Sequence, residues 1–179
     1  MKKFEEKTIH TEPIFKGKVI SLKVDDVTLP NGKVSKREIV NHPGAVAIIP
    51  ITDDGKVILV EQYRKALERS IIEIPAGKLE LGEAPEHTAI RELEEETGFG
   101  CHELTYIQTF ATSPGFADEV IHLYVAKQLY KIENKAELDE DEFVSLIEVT
   151  LEEAEQMVVE QKIYDAKTAF AVLWIKLNQ

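Results

Sequence analysis

The sequence predicts an α/β protein, in which a mixed β-sheet packs between helices on both of its faces. Strand-like segments fill the first third of the chain, and a convincing helix pattern appears only after Ile74. Two nearly continuous apolar runs, AVAIIPI at 45–51 and VILV at 57–60, are typical of central strands that are buried on both sides. Two more helix patterns close the chain, so strands and helices are interspersed along it.

The sequence predicts that the first 40 residues form a β-rich segment and that a main domain follows at 41–179. Residues 19–29 and 34–40 both have strand character, and Asn31-Gly32 lies between them. The dipeptide Asn-Gly is a strong signal for a tight hairpin turn, because both residues tolerate a positive φ. We therefore expect an antiparallel hairpin within this N-terminal segment.

Strand patterns recur along the main domain, and a helix separates the early strands from the later ones. Pro85 suits the first turn of this helix, and Gly98 suits its C-terminal cap. Its apolar face is predicted to contain Ala89, Ile90 and Leu93, which are spaced at helical intervals. The predicted strands of the domain are 45–51, 56–62, 71–74, 104–110, 120–130 and 143–149.

Two helices are predicted at the C-terminal end of the chain. Thr150 and Glu153 have the spacing of a capping box, which indicates that a helix begins there and extends to about Glu160. A last helix is predicted from near Asp165 to Leu177. Its apolar residues indicate a buried side formed by Phe170, Leu173, Trp174 and Leu177.

The composition argues against several classes of protein. The chain has 33 acidic and 21 basic residues and a formal net charge of −12, whereas nucleic acids and anionic membranes attract basic faces. No run approaches the roughly 20 apolar residues of a membrane span, and the N-terminus lacks the apolar core of a secretory signal. The single cysteine, Cys101, cannot form an internal disulfide, which favours a reducing cytoplasm. A phosphate-bearing small molecule remains compatible with this charge, provided that metal cations mediate its binding.

The most informative segment is the helix predicted at 85–97, because it carries three carboxylates on one face. Glu92 and Glu96 are four residues apart, and Glu95 is three residues beyond Glu92. Like charges at this spacing destabilise an isolated helix by roughly 0.2–0.5 kcal/mol per pair. A hard divalent cation such as Mg²⁺ or Mn²⁺ removes the repulsion by binding the oxygens. The alternative is a solvated acidic face that forms a surface ion pair with Arg91.

Two further residues are suitably placed to support such a metal site. Arg91 lies one turn before Glu95, so its guanidinium can orient part of the cluster. Glu83 lies just ahead of the helix and reaches the same site if the loop folds back. Gly77 and Gly82 allow a tight backbone in that loop.

The spacing of the whole segment 77–99 is more specific than an acidic helix. It resembles the Nudix box of the Nudix hydrolase family, with every fixed position filled. Those positions are Gly77, Glu83, Arg91, Glu92, Leu93, Glu95, Glu96, Gly98 and Phe99. The resemblance implies an α/β/α sandwich and a Mg²⁺ cofactor that Mn²⁺ can replace. By that resemblance, the metal ligands would be the backbone carbonyl of Ala76 and the side chains of Glu92, Glu95 and Glu96. Glu83 and Arg91 would support them.

Segments outside the box resemble the ADP-ribose pyrophosphatases of the same family. These segments are 42–46, 61–64, 73–77 and 113–115, in the order that those enzymes have. The resemblance implies that the chain hydrolyses ADP-ribose to AMP and ribose 5-phosphate. It also implies a homodimer in which the N-terminal segment exchanges between subunits, so that Arg37 or Phe15 reaches the site of the other subunit.

Catalysis and substrate binding need residues beyond the box. In similar enzymes a loop carboxylate accepts a proton from the attacking water, and the acidic loop 138–143 is the equivalent here. Glu142 is the first candidate for this base and Glu140 the second. The candidate substrate residues are Arg37 and Arg64 for the diphosphate or terminal ribose, Phe15, Tyr63 and Phe116 for the adenine, and Pro114. Each is also compatible with an ordinary surface position.

Three other functions remain open at this point. One is a Nudix hydrolase that acts on another nucleotide sugar or on a dinucleotide. A second is a non-catalytic module that binds ADP-ribose, although three clustered carboxylates repel a diphosphate when no metal is bound. A third is an acidic-helix protein that binds Ca²⁺ weakly, although the sequence has no EF-hand loop.

Overall fold

The structure is a computed structural model, and it describes residues 3–133 and 143–178. Ten strands and three helices lie within those ranges. The strands are β1 (Lys7–Lys16), β2 (Ser21–Thr28), β3 (Val34–Asn41), β4 (Ala45–Pro50), β5 (Val57–Arg64), β6 (Arg69–Glu73), β7 (Ala76–Lys78), β8 (Phe99–Ala111), β9 (Val120–Lys131) and β10 (Val144–Val149). The helices are α1 (Pro85–Thr97), α2 (Leu151–Val159) and α3 (Ala166–Asn178). Among the residues described, no helix is long and apolar enough to cross a membrane.

The chain divides into two compact units. The first unit extends to Gly44 and also includes Phe110–Ile121. Its three strands form an antiparallel sheet in the order β1-β2-β3. The predicted hairpin is confirmed between β2 and β3, where Gly32 has a φ of 81° and the backbone N–H of Lys33 donates to the Asn31 side chain at 3.0 Å.

Strand β1 was not predicted from the sequence. Its ten residues, KTIHTEPIFK, are all exposed, so the segment lacks the alternation of buried and exposed residues that identifies a strand. It contains Pro13, which lacks a backbone N–H and is tolerated in strands at the edge of a sheet. The edge position of β1 and the register shift between Pro13 and Phe15 agree with that rule.

The second unit, which consists of Ala45–Thr109 and His122–Gln179, contains the apolar core. The strand orders are β7-β4-β9-β8 and β10-β5-β6, so β4 and β5 are both flanked on each side. All six residues of β4 are buried, and so are the first four of β5. The two apolar runs therefore do form buried central strands, as predicted.

Helix α1 has the predicted bounds. Pro85 occupies its first turn, and Gly98 adopts a left-handed conformation with a φ of 72°. Most L-residues avoid this region, and glycine enters it without a steric penalty. The backbone N–H of Gly98 donates to the carbonyl of Glu94 at 2.9 Å, which closes the last turn.

The buried face of α1 differs from the prediction at one residue. Ala89 and Leu93 are fully buried, whereas Ile90 is 38% exposed, so its assignment to the buried face was wrong. The side chains of Glu92 and Glu96 occupy buried positions of this face instead. The helix therefore presents two carboxylates to the interior at positions where apolar residues would be expected.

The C-terminal helices confirm one prediction and correct another. The capping box of α2 is present: the backbone N–H of Glu153 donates to the Thr150 hydroxyl, and the backbone N–H of Thr150 donates to the Glu153 carboxylate. The predicted buried side of α3 was wrong for Leu173 and Leu177, which are 60% and 82% exposed. The helix instead buries Thr168, Ala171, Val172, Ile175 and the charged Lys167. A buried lysine can be accommodated because acidic side chains pair with it.

Candidate active site

The loop that precedes α1 packs directly against the carboxylates of that helix. Strand β7 pairs with β4, with Ala47 opposite Ala76. The backbone N–H of Ala76 donates to Oε2 of Glu96 at 3.1 Å. A Cβ atom added to Gly77 would overlap the carboxylate of Glu92, so only glycine fits at this close approach. The first glycine of the box is therefore required by packing against the acidic helix.

The three predicted metal-binding carboxylates differ in burial. Glu92 is 7% exposed and Glu96 is 2% exposed, whereas Glu95 is half-buried. A buried carboxylate is costly unless cations or hydrogen-bond donors compensate its charge. Arg91 provides part of this compensation, because its Nη1 atom lies 2.8 Å from Oε1 of Glu92 and 2.8 Å from Oε2 of Glu95.

Arg91, Glu92 and Glu95 form an ion-pair cluster, and Glu83 joins it from the loop that precedes the helix. Its carboxylate accepts hydrogen bonds from Nη2 and Nε of Arg91 at 3.2 and 3.4 Å. These bonds and a further one from Thr88 lower the pKa of Glu83 below its usual range. Desolvation opposes the charge of Arg91, but the hydrogen bond to Glu83 and the field of Glu92 outweigh it and raise the pKa of Arg91. Both groups of this pair therefore stay charged at neutral pH.

The donor atoms of the cluster suit a hard divalent cation. They are carboxylate oxygens, which Mg²⁺ and Mn²⁺ prefer to nitrogen or sulfur. One cation, Arg91, pairs with the three carboxylates of Glu83, Glu92 and Glu95, so the cluster has an excess of negative charge. In the part of the chain that is described, no three acidic, histidine or cysteine side chains already converge as a complete metal site. Arg91 instead bridges Glu92 and Glu95.

A pocket in the first unit brings together three of the predicted substrate residues. It has a volume of about 380 Å³ and is lined in part by Arg37, Pro114 and Phe116. Glu6 also lines it and accepts hydrogen bonds from Nε and Nη2 of Arg37 at 2.9 and 2.6 Å. Phe15 lies in β1 with its ring exposed and is not among the residues that line this pocket.

The predicted residues of the second unit, Tyr63 and Arg64, lie at the end of β5. Tyr63 is 55% exposed, and Arg64 donates from Nε to Oε2 of Glu73 at 2.6 Å. Glu73 also accepts a hydrogen bond from Lys167 at 2.6 Å. Neither Glu73 nor Lys167 was recognised as part of a network, although each is a charged residue within an apolar stretch, which was the available signal.

Both candidates for the catalytic base, Glu140 and Glu142, lie outside the residues that the structure describes. The strand that follows them, β10, begins at Val144 opposite Gln62 of β5. Their assignment therefore remains a prediction from the sequence.

Comparison with known proteins identifies two matching families. The NUDIX domain matches residues 41–168, and the nucleoside diphosphate sugar hydrolase N-terminal domain matches residues 6–40. Among characterised relatives, the methanol dehydrogenase activator of Bacillus methanolicus is 65% identical over 99% of this chain and 96% of its own. The ADP-ribose pyrophosphatase of Bacillus subtilis (strain 168) is 62% identical over 100% of this chain and 97% of its own.

The fold agrees with a solved structure. The crystal structure of an ADP compounds hydrolase superposes with a TM-score of 0.85, and the alignment covers 96% of this chain and 92% of that one. Its sequence identity of 24% supports the likeness of the fold alone. The predicted α/β class and Nudix-type architecture are confirmed by this match. The chain belongs to the Nudix hydrolase family.

Proposed function

We propose that this chain hydrolyses the pyrophosphate bond of ADP-ribose and releases AMP and ribose 5-phosphate. The observation that carries the proposal is the acidic face of α1, in which Glu92 and Glu96 are buried against the glycine loop. That arrangement belongs to a Nudix domain, and the 62% identical relative is an ADP-ribose pyrophosphatase. A second relative of that name, from Mycobacterium tuberculosis (strain ATCC 25618 / H37Rv), is 38% identical over 74% of this chain.

Nudix hydrolases generally need a divalent metal ion. We propose Mg²⁺ for this chain, with Mn²⁺ as a substitute, because the donor set consists of oxygens. The proposed ligands are the carbonyl of Ala76 and the carboxylates of Glu92, Glu95 and Glu96. When bound, the ion would neutralise diphosphate charge and increase the acidity of water.

The remaining residues of the cluster have a positioning role in this proposal. Arg91 holds Glu92 and Glu95 through one nitrogen and binds Glu83 through the others, so it fixes the carboxylates relative to one another. In the reaction, a water oxygen forms a bond to one phosphorus, the anhydride P–O bond breaks, and the water loses a proton. Glu142 is the proposed acceptor of that proton, and Glu140 is the alternative.

The proposed substrate contacts are those that the sequence predicts. Arg37 and Arg64 would bind the diphosphate or terminal ribose, because guanidinium groups donate paired hydrogen bonds to phosphate oxygens. Phe116, which lines the pocket with Pro114, offers an exposed ring for the adenine. Phe15 and Tyr63, which are both exposed, are the other aromatic residues proposed to contact the adenine.

We also propose that the protein is a homodimer. All ten residues of β1 are exposed, including Ile9, Ile14 and Phe15, so the outer surface of this strand carries large apolar side chains. A second copy of the chain that covers β1 would remove this apolar surface from water. A cytoplasmic location remains a prediction that rests on the single cysteine, Cys101.

The substrate assignment is tested with a panel of purified compounds in Mg²⁺. The panel contains ADP-ribose, GDP-mannose, NADH, a dinucleoside polyphosphate and a capped nucleotide, and products are separated by chromatography. We expect the highest kcat/KM for ADP-ribose, with AMP and ribose 5-phosphate in equal amounts. Faster hydrolysis of GDP-mannose would assign the chain to another nucleotide sugar, and binding of ADP-ribose without products would make it a binding module.

The 65% identical methanol dehydrogenase activator favours a second candidate function, the activation of an alcohol dehydrogenase. The nicotinamide dinucleotides that dehydrogenases use contain an ADP-ribose moiety, and that moiety includes the pyrophosphate bond that the proposed hydrolysis would break, so the two candidate functions share their chemistry. The test is the rate of a methanol dehydrogenase with and without the chain. Stimulation by wild-type protein but not by Glu96→Gln would make activation depend on hydrolysis, and the lack of any stimulation would reject this candidate.

A further inference from the structure

A buried ion-pair network is centred on Glu73, three residues before the proposed metal ligand Ala76 in the sequence. Of its members, only Arg64 has a role in the function proposed above. Glu73 is 3% exposed, and its two carboxylate oxygens have different partners. Oε1 accepts from Nζ of Lys167 at 2.6 Å, and Oε2 accepts from Nε of Arg64 at 2.6 Å. Lys167 is itself 8% exposed and also donates to Oδ2 of Asp165 at 2.9 Å. The network therefore joins helix α3 to the end of strand β5 through β6.

Stability alone gives no reason for this arrangement. Replacing a buried ion pair with apolar residues of similar volume is often neutral or stabilising, because the charges lose their hydration when they are buried. Within the described residues, Oδ1 of Asp165 is buried without a hydrogen-bond partner, so the network also has an uncompensated acceptor. A role in orienting one of its members accounts for it better than a role in stability.

Arg64 is the member of the network that faces solvent. Its side chain is 38% exposed, whereas that of Glu73 is 4% exposed. In the described part of the chain, the Arg64 side chain makes one hydrogen bond, from Nε to Glu73, and its two terminal nitrogens have no partner there. A guanidinium that is held at Nε, with both Nη atoms free of contacts to the described residues, is oriented to bind a phosphate with two parallel hydrogen bonds.

Lys167 determines how Glu73 engages that guanidinium. It occupies Oε1, so only Oε2 is left for Arg64. Without Lys167, both oxygens of Glu73 would be available, and a carboxylate with two available oxygens prefers a bidentate pair with Nε and one Nη of an arginine. That pair would remove one of the donors that a phosphate needs and would rotate the guanidinium toward Glu73.

Thr168, the residue after Lys167 in helix α3, also holds the backbone that follows Glu73. Oγ1 of Thr168 accepts a hydrogen bond from the backbone N–H of Ile74 at 2.9 Å, one residue after Glu73. The carboxylate of Glu73 is therefore fixed both by its backbone and by Lys167.

We infer that Lys167, acting through Glu73, is a positioning residue that keeps the terminal nitrogens of Arg64 available for the diphosphate of the substrate. This inference rests on the proposed function. It places the determinant of phosphate binding on the C-terminal helix, more than 60 residues beyond the box.

The first test is the substitution Lys167→Met, which removes the ammonium group and keeps the length of the side chain. We expect KM for ADP-ribose to rise about tenfold, which corresponds to the loss of roughly one charge-assisted hydrogen bond, with kcat and the Mg²⁺ dependence unchanged. Lys167→Arg keeps the charge and should restore most of the affinity. Lys176→Met is the matched control, because Lys176 lies on the same helix and pairs with Glu155 at the surface.

A double-mutant cycle with Arg64→Lys separates positioning from a general structural role. If Lys167 acts through Arg64, Lys167→Met causes little further rise in KM in the Arg64→Lys background. An equal rise in both backgrounds, or a changed Mg²⁺ dependence with an unchanged KM, would overturn the inference.

A second variant and a second measurement cover the cases in which the first test fails. If Lys167→Met does not fold, Glu73→Gln takes its place, because it removes the charged acceptor of Arg64 and should show the same dependence on Arg64. If the wild-type chain does not hydrolyse ADP-ribose, the proposed function fails first. The cycle is then measured as the Kd for inorganic pyrophosphate in Mg²⁺, where the same lack of additivity supports the inference and additive effects reject it.

Discussion

The substitution Gly77→Ala adds one methyl group at the closest contact between the glycine loop and helix α1. Its Cβ atom would overlap the carboxylate of Glu92. That carboxylate cannot simply turn away, because Arg91 binds it at 2.8 Å and a charge-assisted hydrogen bond contributes about 1.5–3 kcal/mol. The alternative is a shift of the loop, and overpacking of this kind costs about 1–3 kcal/mol. We therefore expect the free energy of unfolding to fall by about 1–3 kcal/mol.

The effect on hydrolysis should be larger than the effect on stability. A displacement of about 1 Å at a reacting centre can reduce a rate by about 10²-fold, and the loop carries the proposed metal ligand Ala76. Gly55→Ala is the matched control, because Gly55 has a φ of 83° and no atom within 4 Å of an added Cβ. It should lose about 1–2 kcal/mol of stability from left-handed strain and keep its activity.

Denaturant unfolding and steady-state hydrolysis, both measured across a Mg²⁺ titration, distinguish these outcomes. The reasoning is refuted if Gly77→Ala retains wild-type activity and Mg²⁺ dependence, or if Gly55→Ala loses activity to the same extent.

Three further predictions concern the loop base, the assembly and the ion pair ahead of the helix. Glu142→Gln should lower kcat by about 10²–10⁴-fold with little change in the Mg²⁺ titration and partial recovery toward about pH 9, whereas Glu140→Gln should act more on the titration. Light scattering at micromolar concentration should give about 40 kDa, twice the 20.2 kDa of the chain, and a mass near 20.2 kDa would reject the homodimer. The lowered pKa of Glu83 means that its pair with Arg91 stabilises the fold above the ordinary glutamate pKa of about 4.3 and is lost as pH falls below it. Glu83→Gln should therefore flatten the loss of stability below about pH 5 in denaturant titrations, and an unchanged slope would contradict this origin.

Local signals in the sequence were sufficient for much of the fold. Helix α1 was predicted with its correct bounds because Pro85 and Gly98 act through backbone conformation, which depends little on the rest of the chain. The capping box at Thr150 and the hairpin turn at Gly32 were predicted for the same reason. The fixed spacing of the box identified the acidic face of α1, because residues three and four apart lie on one side of a helix.

Features that depend on tertiary contacts were not predictable in this way. Leu173 and Leu177 are exposed although they are apolar, because the packed side of α3 is determined by its neighbours in space. The burial of Lys167 depends on Glu73, which is 94 residues earlier in the chain. Strand β1 is at an edge with every residue exposed, so its hydrogen bonds to β2 define it and no pattern in the sequence does.

The central claim is that the acidic face of α1 drives hydrolysis of the pyrophosphate bond in ADP-ribose. Its most direct test is the rate of AMP formation from ADP-ribose in Mg²⁺, measured for wild type, Glu96→Gln and Glu94→Gln on the same helix. Glutamine retains an oxygen that can accept the hydrogen bond from Ala76, so the fold should persist in Glu96→Gln, as checked by thermal unfolding. The account predicts wild-type rates for Glu94→Gln and a loss of about 10²-fold or more for Glu96→Gln. A folded Glu96→Gln protein that forms AMP at the wild-type rate would contradict it.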